Sequence, residues 1–253
     1  MKNVIFILIL STMTGFAQLK KVDYTDGSQK LEGYFAKSEK VNSKNKGVVI
    51  LPAWMGIDNH AKESAEKLSQ LGYHAFVADI YGMGNNPQDR EQAGKLSGYY
   101  KNNFLDYQRR IQLAIEQLVK QGANPNEIAV IGYCFGGTGA IEAARGNLKI
   151  KGIVSFHGGL GKDPKRETQT ITPKVLILHG ADDPFVPQKD ITAFQEEMRT
   201  AKADWQMFYY ANAVHAFTHK DLDTDNSNGA AYNELADKRS WIAMQDFFNE
   251  IFN

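Results

Sequence analysis

Gly132-Tyr133-Cys134-Phe135-Gly136 places the only cysteine of the chain between a strand-like run and a helix-like run. Gly-x-nucleophile-x-Gly describes a sharp strand-to-helix turn that lifts the central side chain above a sheet and aims it at the N-terminus of the next helix. The unpaired N–H groups and partial positive charge there favour a thiolate and can receive an oxyanion. A free cysteine is otherwise most often a small buried hydrophobe, so a catalytic thiol must find a base, and the base an orienting acceptor. In open parallel sheets such groups collect at the carboxyl ends of strands. After the apolar run ending at Leu178 comes His179-Gly180-Ala181-Asp182-Asp183-Pro184, with two adjacent aspartates in a turn. After Trp205–Tyr210 comes Ala211-Asn212-Ala213-Val214-His215. Nucleophile, acid and histidine thus follow in the chain order of a nucleophilic triad on such a sheet. Spacing alone does not separate Asp182 from Asp183. His157 and His179 also follow strands, and His219 lies four residues beyond His215.

The elements that must position these groups alternate. Strands are expected at Leu31–Ala36, Gly47–Leu51, Tyr73–Ala78, Glu127–Ile131, Gly152–Phe156, Lys174–Leu178 and Trp205–Tyr210. Val48-Val49-Ile50-Leu51 is the unbroken apolar run of a sheet covered on both faces. Apolar residues stepping by three or four predict helices. One carries Ala61, Ala65, Leu68 and Leu71, capped by Asp58 or Asn59 and ended by Gly72. Another carries Phe104, Tyr107, Ile111, Ile115 and Leu118. Three more run from the turn at Cys134 through Ala143, over Ile191, Phe194 and Met198, and over Trp241, Met244, Phe248 and Ile251. Tyr81 to Gln92, with Gly82, Gly84 and Pro87, reads as loop. Strands alternating with helices give the α/β class, a mostly parallel sheet with helices on both faces.

The chain has 253 residues, 43% of them hydrophobic, and no formal net charge. That length suits one α/β domain, here 18–253. Without a basic run, nucleic acid is not an expected partner. Lys2, the apolar run Val4–Leu10 and the small residues of Gly15-Phe16-Ala17 read as a signal peptide over 1–17, cleaved to leave Gln18. The run is shorter than the ~20 residues of a membrane span, so an exported, periplasmic or secreted protein is expected, with no span after cleavage. A lone thiol in an oxidising compartment cannot pair within its own chain and is a liability unless buried or useful. Asp221-Leu222-Asp223-Thr224-Asp225 lacks the glycine and glutamate positions of an EF-hand and reads as a solvated loop. No Cys/His spacing suggests zinc, and neither a metal nor a cofactor is expected.

From Lys46 to Phe252 the chain resembles the dienelactone hydrolase family of the α/β-hydrolase fold. The resemblance rests on Gly47-Val48-Val49-Ile50-Leu51-Pro52, Ala78-Asp79-Ile80-Tyr81-Gly82, Gly132-Tyr133-Cys134-Phe135-Gly136-Gly137, His179 through Pro187, His215-Ala216-Phe217 and the region from Ala231 to Trp241. It implies Cys134 as nucleophile, His215 as base and Asp183, three residues before Val186, as orienting acid. It further implies an oxyanion hole from the backbone N–H groups of Phe135 and Trp54. The expected reaction is cleavage of activated esters, lactones or thioesters, with a small-molecule ester or lactone as substrate. Three positions depart from the family pattern. Ala53 stands where the family carries a glutamate beside the loop donor, and Met83 and His219 stand near the family's substrate-binding arginines. These departures support a rival reading, an exported binding protein that keeps the fold. Fast alkylation of Cys134 near neutral pH discriminates against it.

Overall fold

The computed structural model describes residues 19–40 and 44–253. The signal peptide expected at 1–17 lies outside the described residues. Eight strands form one sheet in the order β1-β2-β4-β3-β5-β6-β7-β8. They are β1 (Lys20–Asp26), β2 (Gln29–Ala36), β3 (Gly47–Leu51), β4 (His74–Val77), β5 (Ile128–Tyr133), β6 (Gly152–Phe156), β7 (Lys174–Gly180) and β8 (Trp205–Tyr210). The β1–β2 hairpin joins antiparallel to β4, and every pairing from β4 to β8 is parallel. This is the mostly parallel α/β sheet expected from the alternation of elements, in the α/β-hydrolase arrangement that the family resemblance implies.

Six helices cover the sheet among the described residues: α1 (Asn59–Leu71), α2 (Arg90–Asn102), α3 (Phe104–Lys120), α4 (Phe135–Arg145), α5 (Gln188–Thr200) and α6 (Glu234–Ile251). Alternate residues of each central strand feed opposite cores, as a period of two requires. Val49 and Leu51 of β3 join Ile111, Leu118, Ile141 and Phe194 on the face of α3, α4 and α5. Val48 and Ile50 join Ala61, Leu68, Met244 and Phe248 under α1 and α6. Burying each such Val, Ile or Leu side chain contributes about 1.5–3 kcal/mol. Asp58 caps α1 by accepting from the Ala61 N–H, and Gly72 ends it in a left-handed conformation.

Two elements were not expected. In β1 only Val22 and Tyr24 are buried, so this edge strand shows almost no apolar run. α2 carries two glycines and buries only Ala93, Ser97 and Tyr100, which removes the stripe by which a helix is recognised. It begins within the stretch read as loop, after Asp89 caps it.

The order also fixes where chemistry can occur. From β3 the chain passes through α1 to β4 on one side, whereas β5 lies on the other. Loops leaving β3 and β5 therefore diverge and open a crevice at the carboxyl ends of the strands.

Candidate active site

Cys134 stands at this switch point, between the last residue of β5 and the first of α4. Its backbone has φ 54° and ψ −113°, a region that costs a non-glycine residue on the order of 1–3 kcal/mol. The flanking glycines make that turn possible. A Cβ on Gly132 would collide with the Gly136 carbonyl, and one on Gly136 with the Leu51 carbonyl. The strained turn leaves the thiol partly buried and facing a cleft of about 910 Å³.

His215 and Asp183 converge on the same sulfur. His215 Nε2 lies 3.0 Å from Cys134 Sγ, and His215 Nδ1 lies 2.8 Å from Asp183 Oδ2. Asp183 is buried, and its Oδ1 accepts from the Phe185 N–H. Asp182, the alternative that spacing left open, is exposed, and its own N–H donates to the Ala213 carbonyl. His215 is held by its backbone as well: its N–H donates to Gly229 O, and its carbonyl accepts from Ala231 N–H. That bridge closes the loop holding Asp221–Asp225, which is exposed to solvent.

The environment separates charge between sulfur and imidazole. Burial pushes the Cys134 thiol up, but the hydrogen bond and charge of His215, the Phe135 N–H and the charge of Lys101 outweigh it, leaving the thiol below its ordinary value. Burial likewise pushes His215 down, and its bonds to Asp183 and Cys134 overcome this and raise it to about 10. A thiolate–imidazolium pair is therefore favoured over a neutral pair.

Phe135 and Trp54, whose backbone N–H groups are the expected oxyanion donors, both line the cleft, and the Phe135 N–H is among the groups acting on the thiol. The Cys134 carbonyl accepts from Thr138 N–H, which fixes the peptide that carries the Phe135 N–H. The Ala53 carbonyl accepts from Gly56 N–H, which fixes the peptide that carries the Trp54 N–H. A column of stacked rings, Tyr81 on Phe135 on Tyr107, braces the peptides that follow these two. Tyr81 Oη donates to Trp54 O at 2.8 Å, and Tyr107 Oη donates to Phe135 O at 3.0 Å. Asp79 in turn holds the Tyr81 loop by accepting from Gly82 N–H.

Trp54, Met55, Phe135, Phe185, Val186 and Leu222 give the cleft its apolar walls. Ala53, standing for the family's glutamate, lines it too, as does His219, whereas Met83 is exposed in its loop and is not part of the wall. Two cations line the cleft instead from α2, Arg90 and Lys101. They were missed because α2 itself was not recognised. His157 was noted only as one of several histidines after strands. It lies fully buried behind Cys134 and accepts from the Cys134 N–H.

The sequence profile of the dienelactone hydrolase family matches residues 31–252. The chain belongs to the dienelactone hydrolase family. A solved structure described as m3DLH is 36% identical with a TM-score of 0.88, covering 94% of this chain and all of that one. A dienelactone hydrolase-like promiscuous phosphotriesterase from metagenomic libraries is 37% identical at the same TM-score and coverage. A Bradyrhizobium sp. protein named "Probable 2-oxo-3-(5-oxofuran-2-ylidene)propanoate lactonase" is 26% identical over 86% of this chain and 88% of its own length. The protein is accordingly an ester or lactone hydrolase of the dienelactone hydrolase type.

Proposed function

We propose that this hydrolase is exported and cleaves activated esters, lactones or thioesters through a Cys134–His215–Asp183 triad and an acyl-thioester intermediate. The observation that carries the reading is the continuous chain of contacts Sγ–Nε2–Nδ1–Oδ2, at 3.0 and 2.8 Å, beside a cleft of mixed apolar and charged lining.

The thiolate attacks the carbonyl carbon, an S–C bond forms and the carbonyl electron pair moves to oxygen. The N–H groups of Phe135 and Trp54 hold that oxyanion, a contribution of about 3 kcal/mol per donor in comparable chemistry. Collapse of the tetrahedral intermediate expels the alkoxide or enolate, which takes the Nε2 proton of His215. Water then gives a proton to His215 and its oxygen to the acyl carbon, and breakage of the C–S bond returns the thiolate–imidazolium pair with release of the acid. Asp183 holds the imidazole through Nδ1 and stabilises the imidazolium. Thiolate is itself a good leaving group, so the first intermediate goes forward only when the substrate's leaving group competes. Enol esters, lactones, aryl esters and thioesters meet that condition, and amides do not.

Export is supported by Lys2, the apolar run Val4–Leu10 and the small residues Gly15 and Ala17. Recovery of a periplasmic product beginning at Gln18 tests it, and retention of residues 1–17 in the cytoplasm would overturn it. For the chemistry, Cys134→Ala is expected to abolish turnover of an aryl ester while leaving the melting temperature within a few degrees. Retained turnover would sink the mechanism. The phosphotriesterase relative makes an aryl phosphotriester the second substrate to assay in the same pair of proteins.

A further inference from the structure

Four histidines lie in or behind the nucleophile turn, and the hydrolytic mechanism uses only His215. The other three come from α1 (His60), from the loop after β6 (His157) and from the loop after β8 (His219). Their rings pack against one another: His60 and His219 are 4.3 Å apart, His157 and His219 5.8 Å, and His157 and His215 5.4 Å. His157 is the innermost, with no exposed surface. Its backbone takes φ 41°, a left-handed conformation that costs on the order of 1–3 kcal/mol and persists where the surroundings over-determine it.

The hydrogen bonds of His157 run in one direction. The Cys134 N–H has two acceptors, Phe156 O at 3.0 Å and His157 Nδ1 at 3.1 Å. A backbone N–H can only donate, so Nδ1 of His157 carries no proton and the ring proton sits on Nε2. Nε2 faces Thr218 Oγ1 at 2.9 Å, and Thr218 Oγ1 faces His60 Nε2 at 3.2 Å. Thr218 therefore accepts from His157 and has His60 Nε2 as its second partner. Thr218 belongs to the loop that carries His215, three residues earlier. One neutral imidazole thus joins the backbone N–H of the thiol's residue to a side chain of the loop that carries its base.

We infer that His157 is a positioning residue: by tying the Cys134 N–H to the His215 loop through Thr218, it fixes the separation of Cys134 Sγ from His215 Nε2. The tie survives only while His157 is neutral, since a protonated Nδ1 would set two N–H groups against each other. Burial first, then the nearby charges of His215, His219 and His60, hold His157 well below its ordinary value, so it stays neutral across the working range. The groups that face it are His215 and His219 from the loop after β8, His60 from α1 and Tyr133 from β5.

The inference rests on the Cys134–His215 reading, and the test reads the thiol itself. Iodoacetamide alkylation of the full-length protein is followed against pH, beside kcat and KM for an aryl ester. His157→Phe keeps a ring but removes both nitrogens, and Thr218→Val removes the link at constant shape. Each is expected to raise the pH midpoint of alkylation and to slow alkylation about tenfold at neutral pH, the scale of one lost hydrogen bond felt in full by the thiolate. kcat should fall by a similar factor with KM unchanged. The double variant should lose no more than the larger single effect, because both cut one connection. His157→Asn, whose side-chain oxygen replaces Nδ1 and which tolerates positive φ, should recover alkylation to within about threefold of wild type. Should His157→Phe misfold, Thr218→Val carries the test by itself. Wild-type midpoints in both single variants, or a double variant with the product of the two effects, would overturn the inference. If Cys134→Ala kept its activity, the triad reading would fail instead, which these alkylation curves distinguish.

Discussion

Helix α4 buries charge at both of its ends, and the two ends treat it in opposite ways. At the C-terminal end, Arg145 is buried and saturated. Its guanidinium donates to Glu142, to both oxygens of Glu197 and to the carbonyls of Leu160 and Gly161. Lys162 and Arg166 add further pairs to the same two glutamates. At the N-terminal end, Cys134 has one charged neighbour within hydrogen-bonding distance, His215, and one side open to the cleft. A charge whose every lone pair and proton is matched is a fastener. A charge held by one partner beside empty space can be given away. The fold thus stores the same electrostatic resource twice, once for fastening the Gly161–Thr172 loop and once for reactivity.

The contrast is broken most severely at the reactive end. Asp183→Asn keeps the shape but offers His215 no carboxylate, and an amide can impose the wrong tautomer. A loss of about 10⁴ in kcat is expected from the corresponding change in serine triads. The pH profile sharpens the point. Activity should rise as Cys134 ionises below its ordinary value and fall near 10 as the imidazolium is lost. Asp183 is among the groups that raise His215, so the alkaline limb should move downward in Asp183→Asn. An unmoved limb would show that another group titrates there. At the fastening end the signs reverse. Arg145→Met strands two buried carboxylates, a fault that costs about 3–5 kcal/mol. Lys162 and Arg166 remain as partners for Glu197 and Glu142, so the lower figure is expected. Denaturant unfolding reads it, and kcat per folded molecule should be unchanged. A variant that kept its stability but lost kcat would erase the distinction between the two ends.

Legibility in the sequence followed the same division between local and spatial information. Strands β2 to β8 were readable because each is a compact strand-length segment bounded by turn residues, and most are unbroken apolar runs. The turn at Cys134 was readable because steric exclusion demands Gly132 and Gly136 within four residues of each other. The Asp182–Asp183 pair and His215 were found by chain order, since parallel sheets return successive loops to one edge, and the family resemblance singled out Asp183. The β1 edge strand and α2 were not readable, because one shows two inward residues and the other a glycine-interrupted polar face. His157 and Thr218 were beyond reach for a different reason. Their meaning lies in contacts between residues 23 and 61 positions apart, and nothing in the local pattern marks a histidine that serves a backbone N–H.

The smallest effect tests whether the open side of the thiol is electrostatically tuned at all. Lys101 lines the cleft and is among the groups that lower Cys134, but it reaches the sulfur from an exposed position on α2. Water and salt screen such a charge, whereas they do not reach the pairs around Arg145. Lys101→Met should therefore slow alkylation of Cys134 near neutral pH by only about twofold to threefold at low ionic strength. At about 0.5 M salt, where the screening length falls to a few ångströms, wild type and variant should converge. Convergence would assign Lys101 a long-range role in setting the thiolate fraction. A difference that persisted at high salt would mean that Lys101 contacts the reacting groups directly, and the open side of Cys134 would then be a built wall of the site rather than solvent.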